Sequence, residues 1–181
     1  MQTVVDLLSE MIAIDSQRSV SNVPIANFMQ SQLEHWEIER IDYVDREGIA
    51  KTNIVAADPE SASPLAFAGH LDTVSATGWD TDPFRPTIAQ DRLTGLGATD
   101  MKGPIAAFLS AARQMDPRVR PKIVLTADEE VTKQGVREVV PEAGDPVTTE
   151  GCVWHGHGPS QRSVATECPF ARGKTFQNVC H

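Results

Sequence analysis

The first apolar stripe is Val4, Val5, Leu7, Leu8, Met11 and Ile12, spaced as one face of a helix. It predicts an amphipathic helix over residues 3–14, ended by Asp15-Ser16-Gln17. A second stripe is Ile25, Phe28, Met29, Leu33 and Trp36. Before it stand Asn22, a residue type that caps helix starts, and Pro24, which suits a first turn. From Glu37 to Val44 the period shortens to alternation (Ile38, Ile41, Tyr43), which reads as a strand. Residues 53–57 form a second strand, and 65–70 a third that is continuously apolar and therefore central. Residues 103–115 return to helical spacing with Ile105, Ala106, Phe108, Leu109 and Ala112. Residues 122–127 are a fourth strand and 133–140 a shorter helix. Strands interleaved with helices predict a layered α/β fold: a mixed, largely parallel sheet flanked by helices.

Candidate chemistry lies where these strands end. The third strand runs into Gly69-His70-Leu71-Asp72-Thr73-Val74. His and Asp at i and i+2 share one face of an extended chain, so the carboxylate can orient an imidazole that binds a metal. Taken alone, the pair reads first as an ordinary strand-end turn. The fourth strand runs into Asp128-Glu129-Glu130. Neighbouring carboxylates raise one another's pKa, and a cation removes that cost. One acid can then serve as ligand and the other as general base. The alternative is a helix start, where acids suit the dipole. Between the two lies Asp100, bracketed by Gly95, Gly97 and Gly103. A carboxylate held in such a turn can bridge two cations, or simply cap the helix that follows. Trp79 to Phe84 is a pocket wall or an anchored loop. One imidazole with several carboxylates suits zinc, cobalt or manganese.

Composition narrows the partners. The chain has 181 residues, enough for one ordinary domain. Its net charge of −9, without a basic cluster, argues against nucleic acid and anionic membranes. No apolar run is long enough to span a bilayer, and the N-terminus lacks the marks of a signal peptide, so a cytoplasmic location is expected. All three cysteines, Cys152, Cys168 and Cys180, fall near the end, too far apart for a zinc knuckle.

Four ordered motifs carry a resemblance: Gly69-His70-Leu71-Asp72-Thr73-Val74; Trp79 with Asp82-Pro83-Phe84; Leu96-Gly97-Ala98-Thr99-Asp100-Met101-Lys102-Gly103; and Thr126-Ala127-Asp128-Glu129-Glu130 with Gly135. The chain, from near residue 3 to about residue 140, resembles the di-zinc metallopeptidase family of acetylornithine deacetylase, succinyl-diaminopimelate desuccinylase, aminoacylase and glutamate carboxypeptidase. The resemblance implies two divalent metal ions, zinc first and cobalt or manganese as alternatives. It implies that His70 binds one metal, Asp100 bridges both and Glu130 binds the other. Asp72 would orient His70, and Glu129 would be the general base. The implied reaction is hydrolysis of the amide of an N-acyl amino acid, with acetylornithine deacetylase the nearest in pattern. Succinyl-diaminopimelate desuccinylase and a small-peptide carboxypeptidase or dipeptidase are the alternatives. Members of the family are often homodimeric.

Residues 141–181 depart from that pattern. Their apolar residues have no usable period, and they read as a disordered tail or one not written for the preceding fold. The family's next carboxylate ligand has only Glu150 as a candidate by position, and His155, His157 and His181 match no family ligand. The dimerisation domain is not matched either. The expectation is a truncated family member: a fragment, or a gene whose frame shifts near residues 141–150. A different class of reading follows, a non-catalytic metal-binding fragment that pairs with a partner chain through an open sheet edge.

Overall fold

The structure, a computed structural model, describes residues 2–139 together with 153–154. Helix α1 (Val4–Ile12) begins with a reciprocal cap: the Thr3 hydroxyl accepts the Asp6 amide and the Asp6 carboxylate accepts that of Thr3. It buries Leu7, Met11 and Ile12, while Val4 and Val5 face solvent, so the buried stripe is narrower than the sequence pattern. Helix α2 (Val23–Ser31) has Pro24 in its first turn. Asn22 precedes it but makes no capping bond. Its amide group pairs with the backbone of Thr52 instead, donating to the carbonyl at 2.8 Å and accepting the N–H at 2.9 Å. A buried strand backbone that needs both partners outcompetes the cap.

The strands are β1 (Glu37–Val44), β2 (Ala50–Ala57), β3 (Ala66–His70), β4 (Thr87–Ala89), β5 (Arg92–Thr94) and β6 (Lys122–Thr126). Helices α3 (Lys102–Ala112) and α4 (Gln134–Val139) and the short strand β7 (Val153–Trp154) complete the described elements. The main sheet has the order β1-β2-β6-β3-β7. It is mixed, as expected. β1, β2 and β6 pair antiparallel, whereas β6, β3 and β7 pair parallel. Among the described residues two strand pairings are antiparallel and two are parallel. β3 has a neighbour on each side, in keeping with its apolar run.

Three local differences have physical causes. β2 starts at Ala50 rather than at residue 53, because Lys51, Thr52 and Asn53 are buried polar residues with partners on both sides. The β4–β5 hairpin is absent from the sequence reading: its strands are short and exposed, with no periodicity to read. Its two loop residues, Gln90 and Asp91, have φ of 49° and 61°, the signs of a type I′ turn without the usual glycine. Finally, β7 lies beyond Pro141, where the sequence predicted no element, and pairs parallel with Ala66 and Phe67. Glu150, His155, His157, His181 and the three cysteines lie outside the described residues.

The core is one cluster joining the faces of α1, α2 and α3 to Ile54 and Ala56 of β2 and Ile123 and Leu125 of β6. Each fully buried Leu, Ile or Met contributes roughly 1.5–3 kcal/mol. The exposed Arg118–Asp116 ion pair is screened by water and adds little beside this, so packing decides stability here. Lys51 and Asn53 alternate with Ile54 and Ala56, so they point to the other sheet face, where α4 packs on β1, β2 and β6. The sheet therefore has helices on both faces. Among the described residues no helix is long and apolar enough to cross a membrane.

Candidate metal centre

The register of β3 against β6 explains why distant motifs meet. The two strands are parallel, and His70 lies beside Thr126 at their shared carboxyl ends. Leu71-Asp72 and Ala127-Asp128-Glu129-Glu130 therefore leave the sheet side by side. Carboxyl ends of parallel strands are where open α/β sheets place their sites. The peptide after Asp100 then enters α3, whose N-terminus packs beside β3.

The imidazole of His70 is 3% exposed. Its Nδ1 lies 2.9 Å from the Asp72 carbonyl and its Nε2 lies 3.0 Å from Asp100 Oδ1. Asp72 thus orients His70 through its backbone, because its carboxylate stands 3.7 Å from Nδ1. That carboxylate has another task. Oδ1 accepts the Glu129 amide at 3.2 Å and Oδ2 accepts the Glu130 amide at 3.0 Å. The first motif holds the backbone of the third.

Electrostatics match this crowding. Burial works against a charged His70, but the hydrogen bond to Asp100 and the nearby charge of Asp72 outweigh it and push its pKa up to about 10. The ring is then cationic near neutrality, with both N–H groups donating. Glu130 has its pKa raised, first by burial, with Asp100, Asp72 and Glu129 adding repulsion against the pull of His70. Such a site gains from a cation.

The donor set fits a divalent metal. Ligand atoms of His70, Glu129 and Glu130 all lie within 4.8 Å of one another. Asp100 joins them through Nε2 of His70, the ring nitrogen whose opposite face is already fixed by a carbonyl, as in metal-binding histidines. Of the five site residues expected from sequence, His70, Asp72, Glu129 and Glu130 are partly or fully buried, while the Asp100 side chain is 52% exposed. Glu129, expected as the base, stands inside the donor group, and its Oε1 also pairs with Lys133 at 3.1 Å. The Trp79–Phe84 stretch is anchored, with the Pro83 carbonyl accepting the Leu96 amide, while Trp79 itself is exposed.

Four supporting residues carried no role in the sequence reading. Asn53 accepts the Ala127 amide at 2.9 Å and donates to the Gly135 carbonyl at 2.8 Å. The Lys51 ammonium lies 3.2 Å from Asp128, which also accepts the Tyr43 hydroxyl at 2.9 Å. Lys102, fully buried, donates to the Ile14 carbonyl, and burial lowers its pKa to about 8. A Lys-x-Asn pair preceding a strand's apolar run was the available signal for β2; buried lysines have no signal in composition.

The comparisons with known proteins give the family. The pattern of the peptidase family M20/M25/M40 matches residues 66–167. The chain belongs to that family. The match continues past residue 140, where the motif-by-motif resemblance faded. The chain is similar to the acetylornithine deacetylase of Myxococcus xanthus, 39% identical over 143 residues, covering 76% of this chain and 37% of the relative. It is also similar to the succinyl-diaminopimelate desuccinylase of Sulfurovum sp. (strain NBC37-1), 38% identical over 130 residues, covering 70% of this chain and 34% of that one. Human carnosine dipeptidase 1 shares the fold with a TM-score of 0.60 and 28% identity, over 75% of this chain and 34% of that one. The chain spans about a third of the length of these relatives.

Proposed function

We propose that the chain supplies the metal-holding part of a hydrolase that cleaves the amide of an N-acyl amino acid, as acetylornithine deacetylase does. The observation that carries this reading is the convergence of His70, Glu129, Glu130 and Asp100 at the carboxyl ends of two adjacent parallel strands. His70, Asp100 and Glu130 would hold two divalent ions, zinc by preference. Bound there, the metal supplies Lewis acidity for the carbonyl under attack and for the water that attacks it. The chain's own residues do the rest. Asp72 fixes His70 by its carbonyl and the Glu129–Glu130 backbone by its carboxylate. Glu129 takes the proton from the attacking water and returns it to the departing amine. The acetyl group is put first because Leu93-Thr94-Gly95-Leu96-Gly97 and Leu125-Thr126-Ala127-Asp128-Glu129-Glu130 resemble the deacetylase most in pattern; succinyl stands beside it, since the chain is as similar to the desuccinylases. A cytoplasmic location belongs to the same reading.

A second reading rests on the sheet edge: among the described residues β1 pairs only with β2, so its outer side can take a strand from another chain. In it, the chain binds metal without turnover and works beside a partner chain that completes the site. One experiment separates the two. The purified chain is dialysed, its zinc measured, and hydrolysis of N-acetylornithine, N-succinyl-diaminopimelate and a dipeptide followed by amine release. Two zinc ions per chain with faster release from N-acetylornithine support the deacetylase reading. Preference for another substrate moves the assignment within the family. Zinc without turnover supports the second reading, and zinc-free protein defeats both.

A further inference from the structure

We propose that Tyr43, Lys51 and Asn53 are positioning residues: they form a bracket on the sheet face opposite the core that holds the Glu129–Glu130 turn in place. This deepens the metal-hydrolase reading above, on which the importance of that turn rests. The register leads to the bracket. Tyr43 of β1 is the direct partner of Lys51 of β2. The β2–β6 ladder pairs Ile54 with Leu125, and three residues further the same register sets Lys51 opposite Asp128. Tyr43 and Lys51 are thus neighbours on β1 and β2, and Asp128, in the turn just past the end of β6, meets both of them.

The group is closed by hydrogen bonds and charge. Lys51 is 1% exposed, and its ammonium donates to the carbonyls of Arg18 and Val20 at 2.9 Å each. Its charge is met by Asp128 at 3.2 Å and Asp45 at 3.7 Å. Tyr43 donates to the other oxygen of Asp128. Burial and that carboxylate both raise the phenol's pKa, so Tyr43 stays a donor. Asn53, two residues from Lys51 on the same face, accepts the Ala127 amide and donates to the Gly135 carbonyl. Three points of the segment 127–135 are thus tied to β1 and β2.

What the bracket holds is an uncommon backbone. Asp128 has φ of +60° without being glycine. Its carbonyl accepts the amides of Thr132 and Lys133, closing a tight turn. Such conformations persist only where surroundings over-determine them. The turn aims Asp128 away from the donor group and presents the next two amides to Asp72 on the other side. Glu129 and Glu130 are therefore gripped from both directions: Asp72 holds their amides, and the bracket holds the residue before them. Residues that orient ligands in this way govern metal affinity without touching the metal.

Amide hydrogen exchange on the metal-free full chain tests the bracket, with zinc titration alongside. In Lys51→Met, the Glu129 and Glu130 amides exchange at least about tenfold faster, while β3 amides keep their rates. Tyr43→Phe, a milder change certain to leave Lys51 paired with Asp128, shows the same pattern with a smaller gain. Asp128→Asn keeps an acceptor oxygen and tolerates positive φ, so it retains most of the protection that Asp128→Ala loses. Arg120→Met breaks the comparably buried Asp58–Arg120 pair at the far end of the strands and leaves the Glu129 and Glu130 amides unchanged. Wild-type protection of those amides in Tyr43→Phe and Lys51→Met overturns the proposal, as does equal loss in Arg120→Met. Zinc affinity drops about 10–100-fold in Lys51→Met if the bracket serves the metal. A wild-type chain without zinc affinity defeats the metal reading, while the exchange pattern still decides the bracket.

Discussion

The carboxylate of Asp72 accepts the backbone amide of Glu130 at 3.0 Å, although the two residues are separated by 58 positions. A second oxygen takes the Glu129 amide. The His70 motif and the Glu129–Glu130 motif are therefore one mechanical unit. Asp72→Ala removes both acceptors and leaves two half-buried amides unpaired. Zinc affinity, read by calorimetric titration, falls about 10–100-fold. Asp72→Asn keeps one acceptor oxygen and falls less. Equal affinity for the wild type and Asp72→Ala would show that the turn holds itself.

The metal-free protein carries a pH signature at His70. Its folded pKa is raised from 6.5 to about 10. The ring therefore binds a proton more tightly when folded, and the stabilisation is full below pH 6.5 and fades as pH rises toward 10. Lys102 works in the opposite sense, because its folded pKa is lowered to about 8 from 10.5, so its penalty is relieved only above pH 8. Between pH 6.5 and 8 the His70 effect is not opposed by Lys102, and the raised pKa of Glu130 acts in the same sense as His70. Denaturant midpoints of metal-free protein fall across that window, and His70→Asn flattens the slope. Apparent zinc affinity moves the other way, rising about tenfold per pH unit as the competing proton is lost.

Glu129 sits within 4.8 Å of the other donor atoms, so geometry alone permits both base and ligand. Substitution separates the roles. Glu129→Gln keeps zinc content and loses turnover if the residue is a base. Glu130→Gln and Asp100→Ala lose zinc, Asp100→Ala from both positions if it bridges. Zinc loss in Glu129→Gln as large as in Glu130→Gln makes Glu129 a ligand instead.

How much of this was legible in the sequence depended on the kind of signal. The strands that deliver His70 and Glu129–Glu130 were readable, since apolar runs of strand length end in charged residues at both places. Asp72 was readable as a partner of His70, but its carboxylate serves the Glu129 and Glu130 amides, a contact that requires the parallel register of β3 and β6. Lys51, Asn53 and Tyr43 were hidden for the same reason. A lysine in a strand reads as solvated, and only the folded turn after β6 shows where its charge is met, at Asp128. The β4–β5 hairpin was hidden because its turn adopts positive φ at Gln90 and Asp91, neither of them glycine.

Gly135 offers the last test, because it links stability to the site. It is buried in the first turn of α4, and a Cβ there would lie 2.1 Å from the Ala127 carbonyl oxygen, 2.9 Å from the Ala127 amide nitrogen and 2.9 Å from Asn53 Oδ1. Two of those atoms are backbone and cannot rotate away. The third is the oxygen that receives the Ala127 amide. Gly135→Ala must therefore push α4 off the sheet or break the Asn53 bond. Overpacking of this kind costs about 1–3 kcal/mol, read from urea unfolding midpoints. Gly48→Ala is the control: nothing lies within 4 Å of its Cβ, so its cost comes from its φ of 82° alone. The two variants differ in a second measurement. Gly135→Ala weakens zinc binding because its displacement reaches the turn that carries Glu129 and Glu130, whereas Gly48→Ala leaves zinc binding as it was. A Gly135→Ala protein of unchanged stability and zinc affinity would mean that α4 is free to shift and that the Asn53 contact does not constrain the turn.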